Sequence, residues 1–317
     1  MGTYRRKAYM NNRSVAVHHT NRHQREAQQC RSLLVLFPAF CAFLTCLVFW
    51  QWRTFAEPTR AVGSFLVLAG FSLALGVLAR SLREKGLLVH TFGSEIMLAV
   101  IYSTMFLVLP WLVPEDGEWH MIALDRRWFG YTYEGAWQAL QSPWLSDFLQ
   151  IVYVSLYLFP AIMGIHLYRR RDWWGIYNGL DRVMFGFIVS YCGYLVFPTR
   201  SPYDFIEYVS SLPTFGVQPW LHDMIAQSVN KRDCFPSGHT MMSWYIAYLS
   251  WLRTPSLRWW MTGWAALTTV ATLYLRYHYL IDIVAGIAGF LLLIPLANFA
   301  FGRFSLRAQP QAEDPAV

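Results

Sequence analysis

Charge is scarce in this chain of 317 residues: Asp, Glu, Lys and Arg make up 14% of it, where a water-soluble domain carries about 25%. So little charge leaves too few polar groups to cover a globule of this size, which argues against a soluble fold. Cysteine is scarce as well. Cys30, Cys41, Cys46, Cys192 and Cys234 form no CxxC pair, which excludes a zinc ribbon and a disulfide framework. No internal repeat is visible, and no polar stretch is long enough to form a second, soluble domain. The first thirty residues are polar and too charged for an ordinary cleaved signal peptide.

Apolar and aromatic residues are what the chain has in quantity, 55% and 17% respectively. They fall into runs that approach or exceed the roughly 18–20 residues needed to cross a bilayer. Eight spans are predicted, at Leu33–Trp52, Val62–Ala79, Glu95–Val113, Phe148–His166, Val183–Phe197, Gly238–Leu252, Trp259–Leu275 and Leu280–Phe301. The fold class is therefore all-α, a polytopic helical membrane bundle. The formal charge of +7 does not point to nucleic acid, because the cations sit between the apolar runs. With the N-terminus placed in the cytoplasm, the inside segments carry 18 Lys and Arg and the outside segments 8. This positive-inside bias predicts an integral, multi-pass membrane protein with both termini cytoplasmic.

Two outside loops are long. Residues 114–146 hold Trp119, Trp128, Trp137 and Trp144, and predict an interfacial helix lying at the headgroups. Residues 198–236 form either a lid or a plain connection. The first thirty residues and the tail after Arg307 read as disordered.

Ionisable residues at membrane depth are costly and mark function. Three groups of them fall together. Pro198-Thr199-Arg200 closes span five, Cys234-Phe235-Pro236-Ser237-Gly238-His239-Thr240 opens span six, and Arg276-Tyr277-His278-Tyr279-Leu280-Ile281-Asp282 joins spans seven and eight. Odd spans end outside and even spans begin there, so all three groups share the non-cytoplasmic face. Phosphoryl transfer suits such a cluster. His278 and Asp282 are four apart, on one helix face. The carboxylate can hold one imidazole nitrogen protonated and leave the other as nucleophile. His239, on another helix, can protonate the leaving oxygen. Pro236 suits the first helical position, so the backbone N–H groups of Ser237 and Gly238 are candidate phosphate donors at a helix N-terminus. Arg276 and Arg200 can neutralise the phosphoryl oxygens. Each of these residues also has a plain structural reading, and interfacial arginines in particular often only snorkel.

The motifs FPSGHT and HYLID resemble the type 2 phosphatidic acid phosphatase superfamily. Within it they are most similar to the inositolphosphotransferase-like branch, which includes inositol phosphorylceramide synthase and sphingomyelin synthases. The resemblance covers roughly residues 198–286. It implies His278 as nucleophile, Asp282 as its orienting carboxylate and His239 as general acid, in a six-helix core that requires no metal or cofactor. The organisation becomes a basic N-terminal segment at 1–32, two additional spans at 33–94, the catalytic core at 95–302 and a cytoplasmic tail at 303–317. The sequence departs from the superfamily's KxxxxxxRP motif, with Gly193 where the lysine would stand and Ser201 between Arg200 and Pro202. It departs from SRxxxxxHxxxD too, with Ala271 and Thr272 in place of the Ser-Arg pair.

The resemblance implies cleavage or transfer of a phosphate-linked group on a membrane lipid. Water as acceptor makes the enzyme a phosphatase; an alcohol or sugar hydroxyl makes it a transferase. Three rival readings remain at this stage: a lipid transporter or scramblase, an inactive binding scaffold, and a metal centre built from His239, His278 and Asp282. Oligomeric state has no signal in the sequence.

Overall fold

The computed structural model describes residues 29–304 except 83–84, 113–116, 131–136, 209 and 227–231. The predicted disorder of the first residues and of the tail lies outside the described part. Among the described residues there is no strand, only an isolated bridge between Thr199 and Asp233. The protein is an all-α helical membrane bundle.

Each predicted span is a helix. In chain order the elements are α1 (Ser32–Trp50), α2 (Pro58–Ser81), α3 (Gly86–Leu112), α4 (Glu118–Phe129), α5 (Pro143–Arg169), α6 (Trp173–Val196), α7 (Val217–Ala226), α8 (Gly238–Arg253), α9 (Arg258–Tyr274) and α10 (Leu280–Phe301). Six of them, α1, α2, α3, α5, α6 and α10, are long and apolar enough to cross a membrane. The other two predicted spans, α8 and α9, have 16 and 17 residues. At 1.5 Å per residue they reach about 24–26 Å, slightly short of a hydrocarbon core of about 30 Å.

Lipid-facing character is written on the surface. Val67, Leu66, Phe92, Leu291 and Phe299 are all exposed, Phe299 at 93%. Such apolar exposure is untenable in water but neutral against acyl chains. The interior is formed around α8, which packs against α5, α6, α9 and α10. Close approach there needs small residues. A side chain at Gly286 of α10 would meet the Ser237 carbonyl oxygen at 2.8 Å, so glycine lets α10 lie against the start of α8.

One end of the bundle collects buried polar contacts from segments predicted to be cytoplasmic. Asp181 accepts from the backbone N–H groups of Arg31 and Ser32, at 3.1 and 2.8 Å. Arg182 donates to Asn178, Asn298 and the Gly302 carbonyl, and Arg253 pairs with Asp172 at 2.8 Å. The motif residues gather at the opposite ends of their helices.

The long loop after α3 contains a helix, as the tryptophans led one to expect. On α4, Trp119 and Trp128 are exposed while Glu118 and Asp125 are fully buried. Its outward face combines these tryptophans with Arg126 and Arg127, a mixture apt for a membrane interface, and Met121 and Ile122 are buried beside the two acids.

Candidate active site

The site is built on the starts of α8 and α10. Ser237 caps α8, its Oγ accepting from the Thr240 N–H at 3.3 Å, as hydroxyl residues do at helix N-termini. Pro236 therefore precedes the cap rather than occupying the first helical position. The Ser237 N–H is committed, donating to the Asp282 carbonyl at 3.2 Å. Gly238 begins the helix, and a Cβ there would run into the Tyr194 hydroxyl and, at 2.7 Å, the Ser190 Oγ. Its smallness thus serves the contact with α6.

Asp282 lies in the first turn of α10, fully buried. Its Oδ2 accepts from the Tyr279 N–H at 2.9 Å and faces the His278 Nδ1 at 3.4 Å. A carboxylate against Nδ1 favours the tautomer with the proton on that nitrogen and leaves the lone pair on Nε2. A third donor is Cys234, whose thiol gives its hydrogen to the same Oδ2 at 2.9 Å and lies 3.5 Å from the His278 Nδ1. Burial first, and then the Asp282 charge, push the Cys234 thiol well above its ordinary pKa, which keeps it protonated and a donor. The sequence offered Cys234 only as an unpaired cysteine; its place directly before FPSGH was the available signal.

A cavity of about 440 Å³ opens in front of these groups, within the usual range for a ligand site. His239, His278, Cys234, Gly238 and Asp233 line it. The two histidine rings lie 6.4 Å apart between centroids. That spacing leaves no direct hydrogen bond between them and leaves room for a group in between. Tyr153 of α5 stacks on His239 with centroids 3.8 Å apart, and the His239 Nε2 is buried without a hydrogen-bond partner among the described residues. Six tyrosines, Tyr102, Tyr153, Tyr157, Tyr191, Tyr194 and Tyr277, supply much of the wall. Asp233 accepts from the Tyr102 hydroxyl. Burial raises the Asp233 carboxyl above its usual pKa, against the opposing pull of that hydrogen bond and of His278.

The described part of the loop 198–236 roofs this space, with Leu221, His222 and Met224 among the lining residues. Asp147 at the start of α5 pins it by accepting from Thr214 Oγ1, the Phe215 N–H and the Gln218 N–H, at 2.5, 2.9 and 2.8 Å.

The two arginines are placed differently from the histidines. Neither is among the residues lining the cavity. Arg200 donates through Nε to Glu118 at 3.0 Å and lies over the Phe205 ring. Arg276, in the left-handed region at φ 65°, donates to the Ser210 carbonyl at 2.9 Å and stacks on Tyr208. Both tie the roof to the bundle. Glu118 lies 82 residues from Arg200, which is why no local pattern announced the pairing.

Asp125 is a further residue without a sequence signal. From α4 its two carboxylate oxygens accept from the Leu280 and Ile281 N–H groups, at 2.7 and 2.8 Å, and so cap the helix that carries Asp282. Asp125→Ala leaves those donors buried and is expected to cost about 1–2 kcal/mol. Thermal unfolding of the purified protein should show it as a lowered midpoint, with turnover falling in parallel. An unchanged midpoint would contradict the capping role.

The fold and the site thus define a helical membrane bundle with two histidines on one cavity and a buried carboxylate behind one of them. Comparison with known families agrees. Residues 119–296 match the family model described as PAP2 superfamily, which is more than half the chain, and the protein belongs to that superfamily. A curated relative, a PA-phosphatase related-family protein of Dictyostelium discoideum, is 28% identical over 165 residues, 45% of this chain. The match takes in 30% of that relative's length. No solved structure matches the chain.

Proposed function

We propose that the protein cleaves or transfers a phosphate-linked group on a membrane lipid through a covalent phosphohistidine. The observation that carries this reading is the pairing of His239 and His278 on one cavity wall, with Asp282 behind His278. In the first step the His278 Nε2 attacks phosphorus, the bond from phosphorus to the leaving oxygen breaks, and His239 gives that oxygen a proton. The Asp282 carboxylate balances the positive charge that the imidazole gains. In the second step an acceptor hydroxyl attacks the phosphohistidine, His239 takes its proton, and His278 is released.

A transferase reading, in the inositolphosphotransferase-like branch, is favoured by the cavity itself. A water needs about 30 Å³ of space, and the cavity, lined by six tyrosines, holds many times that. Incubating the purified protein with labelled lipid phosphates, with and without alcohol acceptors, tests both readings. A labelled adduct with the alcohol supports transfer, release of free phosphate alone supports hydrolysis, and no turnover of any lipid phosphate or phosphodiester would overturn the proposal.

The reaction as drawn uses no metal ion, so turnover is expected to survive excess EDTA. Loss of activity in EDTA, restored by a single divalent ion, would contradict it. The site is further proposed to face away from the cytoplasm, on the strength of the cation bias. A topology reporter fused after Arg307 should then be active only in the cytoplasm; activity only outside would reverse the orientation.

A further inference from the structure

Cys234, His278 and Asp282 place one sulfur, one nitrogen and one oxygen around a common point. Cys234 Sγ lies 3.5 Å from His278 Nδ1, Nδ1 lies 3.4 Å from Asp282 Oδ2, and Sγ lies 2.9 Å from Oδ2. A tetrahedral zinc ion, about 2.3 Å from sulfur and about 2.0–2.1 Å from nitrogen and oxygen, sets its ligand atoms about 3.3–3.6 Å apart. Two of the three edges already have that length, and the third must open by about 0.6 Å.

Two other observations point the same way. Asp282 Oδ1 is buried and has no hydrogen-bond partner among the described residues, so the carboxylate whose Oδ2 forms the triangle has a second oxygen that a bidentate grip on an ion would satisfy. Cys234 and His278 both line the cavity, with Asp282 buried behind them, so two of the three ligand residues border the space an ion would enter by. The charges also balance: a thiolate and a carboxylate neutralise a divalent ion beside a neutral imidazole, so no net charge is left in a buried place.

We propose that Cys234, His278 and Asp282 form an inhibitory site for a thiophilic divalent cation, zinc or cadmium. The binding site stands on geometry alone, and the inhibition rests on the reading of His278 as nucleophile. Binding moves two protons. The Cys234 thiol proton leaves to solvent, and the single imidazole proton shifts from Nδ1, now bound to the metal, to Nε2. A neutral imidazole has one ring N–H. With the metal on Nδ1 that N–H must be Nε2, which then has no lone pair for phosphorus. The ion thus inverts the tautomer that Asp282 otherwise enforces.

The test uses the purified full-length protein and cadmium alone, followed by the ultraviolet thiolate-to-metal charge-transfer band. One equivalent should bind with that band, and Cys234→Ala should abolish it. His278→Ala, which keeps the thiol, should weaken binding at least roughly tenfold, since even outer partners of a metal site are worth 10–100-fold. Zinc should inhibit turnover, and EDTA should restore it in full. Absence of the band in the unmodified protein, or an unchanged band and affinity in Cys234→Ala, would overturn the proposal. If Cys234→Ala fails to fold, His278→Ala decides, and unchanged affinity there overturns it equally. A protein that binds cadmium but turns over no lipid phosphate sinks the functional reading alone. An active protein without the band sinks the metal site alone.

Discussion

His278→Ala is expected to abolish turnover on every substrate, whatever its leaving group, because it removes the atom that forms the bond to phosphorus. His239→Ala is expected to behave differently. A positioned general acid contributes about 10²–10⁴-fold when the leaving group is poor. A lipid alkoxide needs that proton, while a nitrophenyl-type anion leaves without much help. The His239 variant should therefore fail on a lipid phosphate and partly recover on an activated aryl phosphate, and the His278 variant should recover on neither. The site geometry supports the asymmetry. His278 has a carboxylate fixing its tautomer, whereas His239 has a stacked Tyr153 ring and an unpartnered Nε2. Equal recovery of both variants on the aryl substrate would remove the distinction between nucleophile and acid.

Asp282→Asn is expected to lower turnover by about 10⁴-fold, the scale seen where an orienting carboxylate is made an amide and the imidazole tautomer is lost. The reason here is an excess of donors. Oδ2 accepts from the Tyr279 N–H and the Cys234 thiol and faces the His278 Nδ1. An asparagine oxygen in that place could still accept, but the amide nitrogen would bring two new hydrogens into a fully buried pocket. Turned the other way, the amide would face its NH₂ at all three donors. Either orientation leaves buried donors unsatisfied, at about 1–3 kcal/mol each. Thermal unfolding and turnover measured on one preparation separate the two effects. A folded Asp282→Asn protein with turnover within tenfold of the original would contradict the orienting role.

Much of the architecture could be read from the chain because membrane spans are nearly one-dimensional features. Length and apolar content located eight of the ten helices, including α8 and α9, even though these two are short. The gathering of His239 and His278 was legible for a similar reason: alternate crossing puts the end of one span and the start of the next on the same side. What the sequence did not show were contacts made across the fold. Cys234 reaches Asp282 across 48 positions, Asp125 reaches the start of α10 across 155, and Glu118 reaches Arg200 across 82. None of these pairs has a periodic or motif signature. The arginines illustrate the limit best. Topology put them at the correct end of the bundle, but a cation there has several anions and carbonyls within reach, and the nearest partners in this structure are Glu118 and the Ser210 carbonyl rather than the cavity.

The transporter and scaffold readings differ from the enzymatic one in a single respect, since neither forms a covalent bond to substrate. The measurement that separates them is trapping of a phosphoenzyme with phosphorus-labelled lipid phosphate, followed by location of the label. The account predicts an acid-labile phosphoramidate on His278, absent from His278→Ala and still trappable in His239→Ala when an activated aryl phosphate is the donor. Label retained in His278→Ala and missing from His239→Ala would exchange the two roles, and an actively turning-over protein that never carries label would contradict the phosphohistidine mechanism itself.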